Sequence, residues 1–186
     1  MVPQQFRDCH FKDDPMASRL LRSVLMGATV LCLCGPVLAD DEEPDPVILG
    51  IALTDAPMSL QKGLAASEPH GKPISAKFEV ADKDVQLSVY TATATGFVEA
   101  ILNPKTGAVV SAEPITDADD LIHANAQKAA MEKATVSLQA AAGKAVSENP
   151  NSRAVSVIPE LREGRAVATV KLLRQKGFTT VTERLN

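Results

Sequence analysis

Tryptophan is absent from the 186-residue sequence, and the aromatics amount to five Phe and one Tyr. A core must then be built from Val, Ile, Leu and Ala. The aromatic platforms on which single-stranded nucleic acid stacks cannot be assembled from so few rings. A net charge of −4 argues in the same direction, because phosphate backbones are held by an excess of Lys and Arg. No nucleic-acid partner is expected. Cysteine is nearly absent too. Cys9, Cys32 and Cys34 all precede residue 39, so a chain processed there has no disulfide and no thiolate for a metal.

What precedes residue 39 is organised for export. Arg19 and Arg22 flank the start of the most hydrophobic stretch in the chain, residues 20–38, whose body includes Leu21, Val24, Leu25, Val30, Leu31 and Leu33. Gly35 and Pro36 break it, and Val37-Leu38-Ala39 supplies small residues for a signal peptidase. The run is short for a bilayer span and ends on Asp40-Asp41-Glu42-Glu43. Cleavage is expected after Ala39, giving a periplasmic or secreted protein that is soluble once processed. Leu31 and Leu33 stand before the two cysteines where a lipoprotein signal needs a small residue, so lipidation is not expected. Residues 1–15 are polar and of mixed charge, and Met16-Ala17-Ser18-Arg19 would open a conventional signal peptide. Translation is therefore expected to start at Met16. After residue 39 there remain 20 acidic and 15 basic residues, a net charge of −5.

Beyond residue 39 the chain reads as helix, strands, helix, strands. Residues 40–46 form an acidic, Pro-containing tail expected to be disordered. A helix is expected to open around Thr54, Asp55 and Pro57, to carry Leu60 and Leu64 on one face, and to end near Pro69 and Gly71. Ile74, Ala76, Phe78 and Val80 then alternate with polar residues, as do Val85, Leu87, Val89 and Thr91, at the spacing of half-buried strands. A third strand is expected at 97–102, the turn Asn103-Pro104-Lys105-Thr106-Gly107 follows, and a fourth extended segment covers 108–115. Thr116 or Asp117 opens an Ala-rich helical region, which Thr135-Val136-Ser137 interrupts so that a fresh helix can be capped. Strands at 154–161, 166–173 and 178–185 complete the chain. Pro159 marks the first of these as an edge strand or a bulged one.

The two halves repeat. Ser59-Leu60-Gln61 matches Ser137-Leu138-Gln139 at an offset of 78, and Gly96-Phe97 matches Gly177-Phe178 at 81. In the first half, Met58-Ser59-Leu60-Gln61-Lys62-Gly63, Leu87-Ser88-Val89-Tyr90 and 101–109, ending Asn103-Pro104-Lys105-Thr106-Gly107-Ala108-Val109, resemble the helix, the Tyr-bearing strand and the Thr-Gly hairpin of the PepSY domain. Asn103 stands where that family usually has Asp. Val136-Ser137-Leu138-Gln139-Ala140-Ala141 opens the second copy in the same manner, without the Thr-Gly hairpin at its end, so the last strand is expected to leave an edge exposed for a partner. The resemblance covers roughly residues 50–115 and 130–186. It implies an α+β fold of two tandem modules, each a helix packed on a small antiparallel sheet of cystatin-like or PepSY-like form. The expected segments are a signal peptide 1–39, an acidic tail 40–46, module 1 at 47–115, a linking helix 116–135 and module 2 at 136–186. It also implies an extracytoplasmic protein without a catalytic centre that binds or inhibits peptidases or modulates other envelope proteins.

Few residues offer chemistry. His70 lies in a Pro-Gly turn. His123 follows Asp119 at helical i, i+4 spacing, which gives two ligands and not a site. Asp117, Asp119 and Asp120 imitate the start of a calcium loop, but Ile122 occupies the position where that loop requires Gly; helix capping explains them better. Glu79, Asp82 and Asp84 cluster at a hairpin. There is no Gly-x-Ser-x-Gly, no phosphate loop and no dinucleotide fingerprint. No catalytic, metal-binding or cofactor residue is assigned and no cofactor is expected. The expected function is that of a non-catalytic binding or regulatory protein with a peptidase or envelope protein as partner. A periplasmic cation-binding protein and an accessory subunit of a membrane or redox complex are the alternatives.

Overall fold

Asp45 accepts hydrogen bonds from the backbone N–H groups of Val47 and Ile48 and so caps α1 (Pro46–Ala52). Pro46 sits in the first turn, where its missing N–H costs nothing. The computed structural model describes residues 44–81, 84–175 and 177–186. The signal segment, residues 40–43 and Asp82 lie outside them. Pro46, the last residue of the segment expected to be disordered, is instead the first residue of α1, which continues to Ala52. A separate helix, α2 (Leu60–Ser67), begins later than the 54–57 signals indicated, because Ser59 takes the cap and accepts from the Lys62 N–H. A single 3-10 turn (Glu68–His70) leads into β1 (Lys72–Ala81), β2 (Asp84–Ala92), β3 (Phe97–Leu102) and β4 (Val109–Pro114). Asp117 caps α3 (Ala118–Glu132) and Ser137 caps α4 (Leu138–Glu148), as their positions in sequence indicated. β5 (Arg153–Arg162), β6 (Arg165–Arg174) and β7 (Gly177–Arg184) follow.

All seven strands belong to one antiparallel sheet in the order β4-β3-β2-β1-β5-β6-β7. The expectation of two tandem helix-on-sheet modules is thereby corrected. The first strands of the two halves pair with each other, Ala76 opposite Val157 and Lys77 opposite Ser156. In separate modules β1 and β5 would each present a row of unpaired backbone groups, and joining them removes two edges at once. Pro159 therefore lies in an interior strand. It falls beyond the last β1–β5 pair, so its missing N–H is not drawn on by that ladder.

Side chains alternate across the sheet. Ala76, Phe78, Leu87, Val89, Val157 and Val170 are buried on one face. α2 packs there so closely that a Cβ on Gly63 would fall 2.0 Å from Cδ2 of Leu87. α4 covers the same face and brings Lys144 to Glu183 of β7, the residue opposite Ala168. α2 and α4 touch each other along this layer. α3 lies against the other face, where Asp120 meets the hydroxyl of Tyr90 and Lys128 sits over the ring of Phe97.

The two halves obey one register. In the β1–β2 ladder a bulge falls between Pro73 and Ser75, and in β5–β6 between Ala154 and Ser156, each displaced by 81. The hairpin ends Ala81↔Asp84 and Arg162↔Arg165 keep the same displacement. Backbone ties repeat as well. The Met58 N–H donates to the Pro104 carbonyl, and the equivalent Val136 N–H donates to the Leu185 carbonyl. One pair of side chains crosses between halves in both directions. Lys72, at the start of β1, points its ammonium at the Met131 carbonyl at the end of α3 (3.5 Å). Its counterpart Arg153, at the start of β5, donates to the carbonyls of Leu53 (3.0 Å), Ala56 (2.8 Å) and Met58 (2.6 Å) after α1.

Candidate functional site at the open edge of the sheet

A seven-stranded open sheet has two edges, and here they are built differently. β4 is short, its register with β3 shifts between Ile101 and Leu102, and it closes on Glu113 and Pro114. Shortness, irregularity, a charge and a proline are the usual means of keeping a sheet edge from recruiting another strand. β7 has none of the first two. It runs eight residues in unbroken register with β6, and Thr179, Thr180, Val181 and Thr182 are β-branched residues suited to a strand. Among the described residues no strand pairs with its outer side.

The strand is held rigidly from within. Glu183 points toward α4 with 6% of its side chain exposed, and the Lys144 ammonium lies 2.5 Å from its carboxylate. That contact raises the Lys144 ammonium above its ordinary value, against the smaller opposing effect of desolvation. An inward-pointing charge can itself protect an edge, but here it is matched and so leaves the strand well seated. On the opposite face, Arg162 reaches across from β5 to Thr182 Oγ1 (3.2 Å) and donates to Glu160 of its own strand (2.6 Å), and Glu160 also accepts from Thr169. Arg162, and then Thr169, hold the Glu160 carboxyl below the ordinary carboxylate range. Lys171 lies 5.7 Å over the ring of Phe178, and burial lowers its ammonium. At the far end the N–H groups of Thr135 and Val136 both donate to the Leu185 carbonyl.

A groove of about 670 Å³ opens beside the start of β7, lined by α1, the loop before β5 and the β6–β7 turn. Val47 (66% exposed) and Ile51 (70%) rim it, with Leu173, Arg153 and Arg174 on its other side. Arg153 is half-buried, which lowers its guanidinium from the ordinary value, and its donors are committed to the three carbonyls already named. A second hollow of about 290 Å³ lies between α2, β1 and the α3–α4 junction, with Leu64, Met131 and Leu138 as floor and Glu68 and Lys72 at the rim.

The residues weighed from sequence end up apart. Asp117 is the cap of α3, its Oδ1 accepting from the N–H groups of Asp119 (2.9 Å) and Asp120 (3.2 Å). Asp119 and His123 are exposed on α3. His70 lends its carbonyl to Thr91 Oγ1, and Glu79 pairs with Lys77 at 3.6 Å. Among the described residues no three His, Cys, Asp or Glu side chains gather as a metal site would require. Tyr90, which sequence reasoning passed over, is the most perturbed acid-base group described: burial, then its bond to Asp120, pushes the phenol well above its ordinary value. Comparison with family models, curated proteins and solved structures gave no match for this chain.

Proposed function

We propose that this chain is an exported, non-catalytic binding or regulatory protein, of the kind its PepSY-like motifs imply, and that its partner is another protein of the cell envelope or a peptidase. One observation carries the reading: among the described residues a long, regular strand edge, seated from inside by the Glu183–Lys144 pair, is left open beside an apolar groove. An edge strand offers a row of backbone donors and acceptors, a recognition surface that needs no catalytic group. The export half of the reading rests on the order of charged, apolar and small residues through position 39.

Two measurements test it. Amino-terminal sequencing of the protein from its native envelope fraction is expected to begin at Asp40; an intact chain confined to the cytoplasm would contradict export. Photo-crosslinking of the mature chain in an envelope extract is expected to yield a discrete protein adduct that excess unlabelled chain competes away. Turnover of ester, peptide or phosphate substrates by the purified chain, with no competed adduct, would contradict the binding role.

A further inference from the structure

The first half of the molecule shows what fills an edge of this kind. β3 and β7 hold equivalent places: Ala92↔Phe97 opens the β2–β3 ladder and Leu173↔Phe178 the β6–β7 ladder, each residue displaced by 81. Against β3 runs β4, antiparallel, with Val98↔Pro114, Glu99↔Glu113, Ala100↔Ala112 and Ile101↔Ser111 opposed. Carried over by the same displacement, those partners fall opposite Thr179, Thr180, Val181 and Thr182. Among the described residues that position is empty.

Charge narrows what would fit there. Residues 138–186 hold eight Lys and Arg against four Asp and Glu, whereas residues 44–137 hold seven against twelve. The half that bears β7 is therefore cationic inside a chain that is acidic as a whole. Arg184 is exposed on the strand itself, on the same face as Thr180 and Thr182. A second copy docking β7 to β7 would bring two cationic halves together. Docking by way of β4 would use the edge that carries Pro114 and the register shift. An acidic segment from another protein meets neither obstacle.

We propose that the open edge of β7 accepts an acidic extended segment of a partner protein, antiparallel and in the register that β4 holds against β3. The inference rests on the binding role proposed above and specifies its partner. Backbone hydrogen bonds supply the affinity and alternate side chains the choice. The residue opposite Val181 faces the helix layer, where β4 carries Ala112, so a small side chain is required. The residues opposite Thr180 and Thr182 emerge on the other face, where β4 carries Glu113 and Ser111 and where Arg184 is a diagonal neighbour. Asp or Glu is favoured there.

The test uses the mature chain and three synthetic peptides. The first copies residues 107–116 of this chain with two Glu added at each end; the second carries Lys in place of those Glu. The third is the Glu-flanked peptide N-methylated at alternate residues, which removes its backbone donors and leaves the protein untouched. The Glu-flanked peptide is expected to slow amide exchange across residues 178–184 and to bind about tenfold more tightly than the Lys-flanked one at low salt. That ratio should fall toward one as salt rises, and N-methylation should cost about tenfold or more. The proposal is overturned by equal binding of the Glu and Lys peptides, by protection that maps away from β7, or by β7 protection that appears on concentrating the protein alone. If the edge fails while crosslinking still captures a partner, the binding role stands and this inference falls; if both fail, both fall.

Discussion

Replacing Arg153 by Met keeps an unbranched chain over Phe78 and removes every hydrogen-bond donor. The guanidinium donates to three carbonyls of the segment joining α1 to α2 and lies 5.1 Å from the centroid of the Phe78 ring. Buried bonds from a charged donor are worth about 1.5–3 kcal/mol each. At a half-buried position water takes over part of each, leaving about 1 kcal/mol apiece. The ring contact adds roughly 0.5–1 kcal/mol. The expected loss is therefore about 3–4 kcal/mol, from a total stability of the order of 5–15 kcal/mol. At roughly 2–4 °C per kcal/mol for a chain of this size, Tm should fall by roughly 6–16 °C. Lys72→Met is the matched control, since Lys72 is exposed and reaches one carbonyl at 3.5 Å. It should change stability by less than about 0.5 kcal/mol. Urea unfolding of the mature chain followed by circular dichroism reads both. An Arg153→Met chain within about 0.5 kcal/mol of the parent, or a Lys72→Met chain equally damaged, would refute the reasoning.

Two glycines in the paired helices should respond with opposite signs. Gly63→Ala forces a Cβ into Leu87, a fully buried residue, and should cost about 1–3 kcal/mol despite the helical gain, whereas Gly143→Ala in α4 meets nothing within 4 Å and should stabilise by about 0.5–1 kcal/mol; thermal unfolding compares them. Removing either helix cap, Ser59→Ala or Ser137→Ala, should cost about 0.5–2 kcal/mol, because each serine accepts the same N–H three residues on. The chain has a single tyrosine, so its absorbance near 295 nm titrates Tyr90 alone. With the folded value raised by burial and by Asp120, ionisation should be delayed beyond the ordinary range. Tyr90 then stabilises the fold fully below its unfolded value of about 10, and that contribution is lost as pH climbs toward the folded value. Ordinary titration in the folded protein would contradict this.

Much of the local structure was legible in the residues. Asp117 and Ser137 announced their helices, and the alternation of Ile74 to Val80 and of Val85 to Thr91 announced β1 and β2, because caps and strand faces are set by neighbours a few residues apart. α1 was less legible: Val47, Ile48 and Ile51 are all exposed, so its seven residues show little apolar periodicity. The joining of the halves was not legible at all. Ala76 meets Val157 across the whole intervening chain, and that pairing depends on two strands sharing an edge, which a short sequence window cannot show. Pro159 was half a guide: β5 does carry a bulge, between Ala154 and Ser156, but it is an interior strand whose ladder with β1 stops before reaching the proline. Arg153 carries no local mark either, for its acceptors lie 95, 97 and 100 residues away. The candidate site was partly legible: the missing Thr-Gly hairpin after residues 178–185 marked the last strand as an exposed edge, as β7 is among the described strands, whereas its unbroken register with β6 and the groove beside it depend on contacts a sequence window cannot show.

The most direct trial of the account is amide exchange on the mature chain, free and saturated with the protein captured by crosslinking. The account predicts slowed exchange concentrated in residues 178–184, with residues 109–114 of the opposite edge unchanged. Slowing confined to β4 or to the helix layer, with β7 exchanging as in the free chain, would contradict it.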